Sequence, residues 1–327
     1  MRYLLSLLWL FTGMANAELP WDLVAQKFLL LDSGGSQEPA KVPGFSYSPF
    51  GALVYWDGKT SFGLCSATHV SGDRLLTAAH CLSPSSDLSH YQAIFYDKQG
   101  KKQHASVLSA AFKGDEKIDI AVLTIDKKAA EGWEVVGGEV RRYDTRSIAA
   151  AVPEQEAVVA WSFTPINSVK NVHDRYPGQL GMVFRPNHCQ ASRTIPHLEV
   201  FSKSAKERKK IYEFYFRKKG ITDEKLHVFL DQCVYPVIQG NSGSLISLAG
   251  QPKKKVGVLH LFVADKDKIW NDIEKNNQDR AELEYFYLGN DGRSKRFAWG
   301  FGEFLIASGS ALVSLGNRLD ELLGTGP

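Results

Sequence analysis

Three short segments of this chain carry side chains that could share one reaction. LLTAAHC, Leu75 to Cys81, is an apolar, strand-like run that ends in small residues, then His80 and Cys81. KIDIAVLTI carries Asp119, and QGNSGSL carries Ser242. A serine hydroxyl is a poor nucleophile at neutral pH, so a base must take its proton as it attacks a carbonyl. His80 is the candidate base, because an imidazole titrates near neutrality and can return the proton to a leaving group. Asp119 would hold the ring tautomer and stabilise the imidazolium that forms. Gly240 and Gly243 permit a tight turn around Ser242. Taken singly, each segment also reads as structure: a histidine after a strand, an acidic residue leading a buried strand, a glycine turn. The order His, Asp, Ser, with a cysteine directly after the histidine, favours the shared reaction.

With these residues the chain resembles a trypsin-like (chymotrypsin-fold) serine protease. Subtilisins and α/β-hydrolases run the same chemistry in other orders. The resemblance implies a His80, Asp119, Ser242 triad, an acyl-enzyme on Ser242, and an oxyanion hole from the backbone N–H groups of Gly240 and Ser242. One such donor is worth on the order of 10²–10³ in rate. The GNSGS form looks most like bacterial glutamyl endopeptidases and their relatives. Animal digestive enzymes place aspartate just before the nucleophile to receive a new N-terminal amine; here Asn241 stands there and offers no charge. Trypsin itself places an aspartate six positions before the serine, where this chain has Pro236. The strand Val256 to Leu261 should form one pocket wall. His260 stands one place off the register expected of the glutamyl endopeptidase histidine, and reads better as a polar side chain bonded within the wall. The pocket is thus expected to involve Pro236 and His260, with the preferred residue at the cleavage site left open.

The compartment follows from the start of the chain and its cysteines. Residues 1–17 read as a secretory signal: Arg2, an apolar stretch from Leu4 to Met14, and Ala15-Asn16-Ala17 as an A-x-A cleavage site. That apolar run is shorter than the ~20 residues of a membrane span. The formal charge of +3 becomes +2 without Arg2, so nothing global points to nucleic acid. Four cysteines in an exported chain read as two disulfides with three possible connectivities. The family resemblance selects Cys65 with Cys81, leaving Cys189 with Cys233. The histidines show no metal-ligand spacing, and the reading calls for no metal and no cofactor.

The mature chain would have 327 − 17 = 310 residues, slightly more than one hydrophobic core fills. Short apolar runs separated by Gly, Asp, Asn and Ser recur at Ala52 to Tyr55, Leu75 to Ala78, Ala93 to Tyr96, Ile120 to Ile125, Ala157 to Trp161, Leu180 to Phe184, Leu245 to Leu248 and Val256 to Phe262. They favour an all-β sandwich or barrel. The resemblance makes this two packed antiparallel six-stranded β-barrels with a C-terminal helix, a protease domain over residues 48–327. The first barrel would span about 48–150 and the second about 151–327. Residues 18–47 read as a short pro-segment, an N-terminal arm or a covering strand. Lys203 to Lys219 is a basic and aromatic insertion, better read as solvated surface than as an anion-binding exosite. Asp265 to Phe286 is a helix-like insertion. Leu312, Leu315, Leu319 and Leu322 mark an amphipathic helix stopped at Gly324.

The expected function is a secreted or periplasmic serine endopeptidase, a monomer acting on a peptide or protein substrate. The alternative is a non-catalytic binding protein on the same fold.

Overall fold

The computed structural model describes residues 21–58, 62–82, 87–112, 120–137, 155–192, 227–231, 233–235, 237, 240–264 and 300–305. All eight apolar runs fall on strands. Six strands close a first barrel in the order β2-β3-β4-β7-β6-β5. They are β2 (Phe50–Trp56), β3 (Phe62–Ser71), β4 (Arg74–Ala78), β5 (Tyr91–Tyr96), β6 (Lys102–Phe112) and β7 (Ile120–Ile125). Alternation of side chains across a strand explains their double use. Leu53, Leu75, Phe95, Leu123 and Trp133 fill the barrel interior. Phe50, Ala52, Val54, Leu76, Ile94 and Val122 face the other way into a second core.

That second core is shared with a curled sheet, ordered β1-β9-β10-β13-β12-β11-β8, in which β8 also pairs with β9. Its strands are β1 (Leu29–Leu31), β8 (Ala157–Pro165), β9 (Gly181–Ser192), β10 (His227–Asp231), β11 (Leu245–Leu248), β12 (Gln251–Ala264) and β13 (Gly300–Leu305). Val159, Trp161, Phe163, Met182 and Phe184 from β8 and β9 meet the Phe50 face of the barrel. Phe50 and Trp161 stack with ring centroids 5.2 Å apart. Each such fully buried aromatic or aliphatic side chain stabilises the fold by roughly 1.5–3 kcal/mol. The two halves are therefore welded by a continuous apolar seam.

The second sheet has seven strands among the described residues, where six were expected, because the N-terminal arm adds one. β1 pairs parallel with β9, Leu29 opposite Gly181 and Leu31 opposite Val183. The arm continues back to helix α1 (Trp21–Lys27), which buries Trp21, Val24 and Ala25. Trp21 Nε1 donates to Ser89 O at 2.8 Å. The Tyr96 hydroxyl lies 2.7 Å from Leu30 O and 2.8 Å from Gln37 O, shared between the two carbonyls. Burial, reinforced by Asp32 and Glu38, pushes that hydroxyl up to about 12. The helix and the three-residue strand of residues 21–31 thus touch both halves.

The expected signal segment, the insertions Lys203 to Lys219 and Asp265 to Phe286, and the terminal amphipathic helix lie outside the described residues. Among the described residues, no helix is long and apolar enough to cross a membrane.

Candidate active site

β4 positions the histidine. RLLTA is an apolar strand held between β3 and β7, and Ala79–Cys81 forms a single 3-10 turn at its end. His80 sits exposed on that turn. The disulfide from Cys65 on β3 to Cys81 pins the turn, with Cα atoms 6.2 Å apart and a closed span of 16 positions. A loop of that length is worth about 3 kcal/mol in the chain-entropy account. Cys65, His80 and Cys81 bring their ligand atoms within 4.8 Å of one another. The two sulfurs are bonded to each other, so they cannot act as thiolate metal ligands.

The Ser242 turn docks directly on the strands that lead to His80. Ser66 N donates to Ser242 O at 2.8 Å, and Gly243 N donates to Leu259 O at 2.7 Å. Thr77 Oγ1 donates to Ser66 O at 2.9 Å. Gly243 adopts φ +85°, and a Cβ there would collide with Ser66 O and Thr77 Oγ1. Only glycine permits so close an approach. The turn therefore presses against Thr77 and Ala78, three and two residues before His80. The register of β4 with β7 ends at Ala78 opposite Ile120.

Gly240 opens the turn with φ +101°. Its carbonyl accepts from Ser66 Oγ at 3.2 Å, and the same hydroxyl accepts from Phe163 N at 2.9 Å. Asn241 is buried, and its Nδ2 donates to Phe163 O and to Thr164 Oγ1, both at 3.0 Å. The amide supplies two N–H donors where a carboxylate would supply none. Ser244 Oγ donates to Asn241 O at 2.5 Å and is joined to Ser162 Oγ at 2.8 Å. A seam of small hydroxyl side chains, Ser66, Thr77, Ser162 and Ser244, thus fixes the turn from below. Each buried hydroxyl needs a partner, and here each finds one. The sequence reading named none of the four as a site residue, although Thr77 and Ser244 lie inside the quoted motifs. Ser66 and Ser162 carry no spacing signal.

The structure therefore brings the Ser242 turn against the strand end that carries His80, with the Cys65–Cys81 disulfide beside it. Asp119 and Pro236 lie outside the described residues. His260 stands on β12, one position after Leu259, whose carbonyl accepts from Gly243. Cys189 on β9 is bonded to Cys233, across a span of 44 positions.

A family profile described as Trypsin matches residues 41–175. The closed six-stranded barrel and the curled sheet beside it form an all-β, chymotrypsin-like architecture. Among solved structures, the chain is similar to one described as "Structure of GrC", with TM-score 0.46 and 11% identity, covering 87% of this chain and 98% of that one. It is also similar to a scabies mite inactivated protease paralogue, S-D1, with TM-score 0.46 and 12% identity, covering 85% of this chain and 94% of that one. No curated protein matches the sequence.

Proposed function

We propose that the protein is an exported serine endopeptidase in which His80, Asp119 and Ser242 act together. The observation that carries this reading is the seating of the Ser242 turn on Ser66, Thr77 and Ala78, at the strand end that leads to His80. In this reading Ser242 Oγ attacks the peptide carbonyl while His80 takes its proton, and Asp119 holds the imidazole ring. The C–N bond then breaks as His80 returns that proton to the leaving amine, leaving Ser242 acylated. Water, deprotonated by the same histidine, releases the acid and restores the hydroxyl. The backbone N–H groups of Gly240 and Ser242 bind the developing oxyanion. The Ser66 bond to the Gly240 carbonyl supports a fixed Gly240–Asn241 peptide, between the residues that carry those two donors.

The apolar start of the chain and its paired cysteines favour export to a secreted or periplasmic location. The GNSGS form makes a preference for acidic residues at the cleavage site the first specificity to profile.

The test is labelling of the mature protein with a fluorophosphonate probe, with Ser242→Ala as control. Labelling that maps to Ser242 is expected. Loss of a triad nucleophile has cost about 10⁶ in kcat in another serine protease, so Ser242→Ala should lose essentially all peptidase activity. Absence of labelling in a folded, disulfide-intact protein would instead favour a binding protein on a protease fold.

A further inference from the structure

One face of the β8–β9 hairpin contacts Cys233, Tyr235, Asn241 and Ser244 on the segment that carries Ser242. Residues two apart on a strand share a face. Arg185 pairs with Ser162, Asn187 with Ala160 and Cys189 with Val158. From this face Cys189 is bonded to Cys233. Asn187 Nδ2 donates to Tyr235 O at 2.8 Å, and Tyr235 N donates back to Asn187 Oδ1 at 2.9 Å. The Arg185 guanidinium carbon lies 3.7 Å from the centroid of the Tyr235 ring. Thr164 and Ser162 complete the set, on Asn241 and Ser244. The opposite face of the same hairpin is the apolar one, with Trp161, Phe163 and Phe184 in the shared core.

Asn187 is 4% exposed and meets a backbone, not another side chain. Its amide forms the same two-bond pair that a neighbouring strand would form, which fixes both the position and the rotation of the Tyr235 peptide. Tethering alone does not require this, since the Cys189–Cys233 bond already holds the chain two residues earlier. Tyr235 lies 240 − 235 = 5 positions before Gly240. Five residues span at most about 18 Å fully extended, so Tyr235 is held within that reach of the turn it precedes.

We propose that Asn187, supported by Arg185 on the Tyr235 ring, is a positioning residue that sets the register of the nucleophile turn. The inference rests on the endopeptidase reading for its catalytic consequence, but not for its structural one. Asn187→Ala removes both bonds and leaves the disulfide and the apolar core in place. It should slow phosphonylation of Ser242 about 10- to 100-fold, the scale expected when a reacting group shifts by about 1 Å. In peptide turnover, kcat should fall by more than KM rises. Amide hydrogen exchange should accelerate across residues 235–243 while the β2–β7 barrel stays as protected as before. Arg185→Met should produce the same pattern more weakly, and Arg185→Lys, which keeps the cation, should lie nearer wild type. These two variants also keep the test open if Asn187→Ala does not fold.

Wild-type labelling rate together with wild-type exchange at 235–243 in Asn187→Ala overturns the proposal. So does a lower melting temperature with an unchanged labelling rate, which is the behaviour of a merely structural contact. If the wild-type protein itself does not label, the endopeptidase reading fails. The exchange experiment then still decides whether Asn187 sets the turn.

Discussion

Gly243→Ala is the sharpest perturbation available at the site. Two separate penalties follow from the structure. Gly243 has φ +85°, in the left-handed region, which costs an L-residue roughly 1–2 kcal/mol. A Cβ would also fall well under 3.0 Å from Ser66 O and Thr77 Oγ1, and 3.2 Å from Ala78 N. Two of those three atoms belong to the backbone of strands held in a closed barrel, so the turn must retreat. Overpacking of this kind costs about 1–3 kcal/mol. The sum is about 2–5 kcal/mol.

Gly250→Ala separates the two penalties. Gly250 has φ +72° and open space where a Cβ would go, so only the backbone penalty applies. Both substitutions remove the same unfolded-chain freedom, and that contribution cancels in the comparison. Urea unfolding of the disulfide-intact protein should therefore place Gly243→Ala below Gly250→Ala by about 1–3 kcal/mol, with similar slopes. A retreat of the turn by about 1 Å should also slow phosphonylation of Ser242 by about 100-fold, while Gly250→Ala labels normally. Equal unfolding midpoints and equal labelling rates for the two variants would refute the close docking of the Ser242 turn on β3 and β4.

The remaining predictions concern the turn, a buried histidine and the arm. Asn241→Asp replaces the donors to Phe163 O and Thr164 Oγ1 with a buried carboxyl that favours its protonated form. Its folded pKa lies above the unfolded value of ~3.9, so stability falls as pH rises from there through the raised folded pKa; a flat pH profile of urea midpoints would contradict this. His69 is buried, with Nδ1 2.8 Å from Glu134 O and Nε2 2.7 Å from Gly72 O. Burial holds its pKa below the usual 6.5, outweighing those two carbonyls; Lys98 lowers it further and Asp73 raises it. The unfolded chain therefore binds the proton first: stability is full above about pH 6.5 and is lost as pH falls from there through the depressed folded pKa. His69→Gln should flatten melting temperature against pH in that window. Removing residues 18–47 strips β1 from β9 and takes Phe28 and Leu30 out of the core, so differential scanning calorimetry should show a lower melting temperature than for the chain starting at Glu18.

Much of the architecture was legible because it is local. Apolar runs of strand length, bounded by turn residues, mark β2, β4, β5, β7, β8, β9, β11 and β12 without reference to anything distant. GNSGS marks a turn because glycine alone tolerates the backbone angles found at positions 240 and 243. LLTAAHC marks a strand end with a histidine and a cysteine. The order His80, Asp119, Ser242 is also a property of the linear chain.

What the sequence by itself left open is what depends on residues far apart meeting. Ser66 and Gly240 are 174 positions apart, and no periodicity announces that one hydroxyl joins them. The reason Gly243 must be glycine is doubled by the approach of Ser66 and Thr77, which only the packed halves create. Residues 18–47 carried three readings. The pairing of Leu29–Leu31 with β9 followed from tertiary contact, because a three-residue apolar segment has no strand identity until an edge accepts its hydrogen bonds. Asn187 is an unremarkable polar residue in β9 until the fold sets it against the Tyr235 peptide. Local sequence thus determined where strands and turns form, since backbone preference and side-chain alternation act over a few residues. The tertiary structure decided which of them touch, since burial and hydrogen bonding act only between groups that folding has brought together.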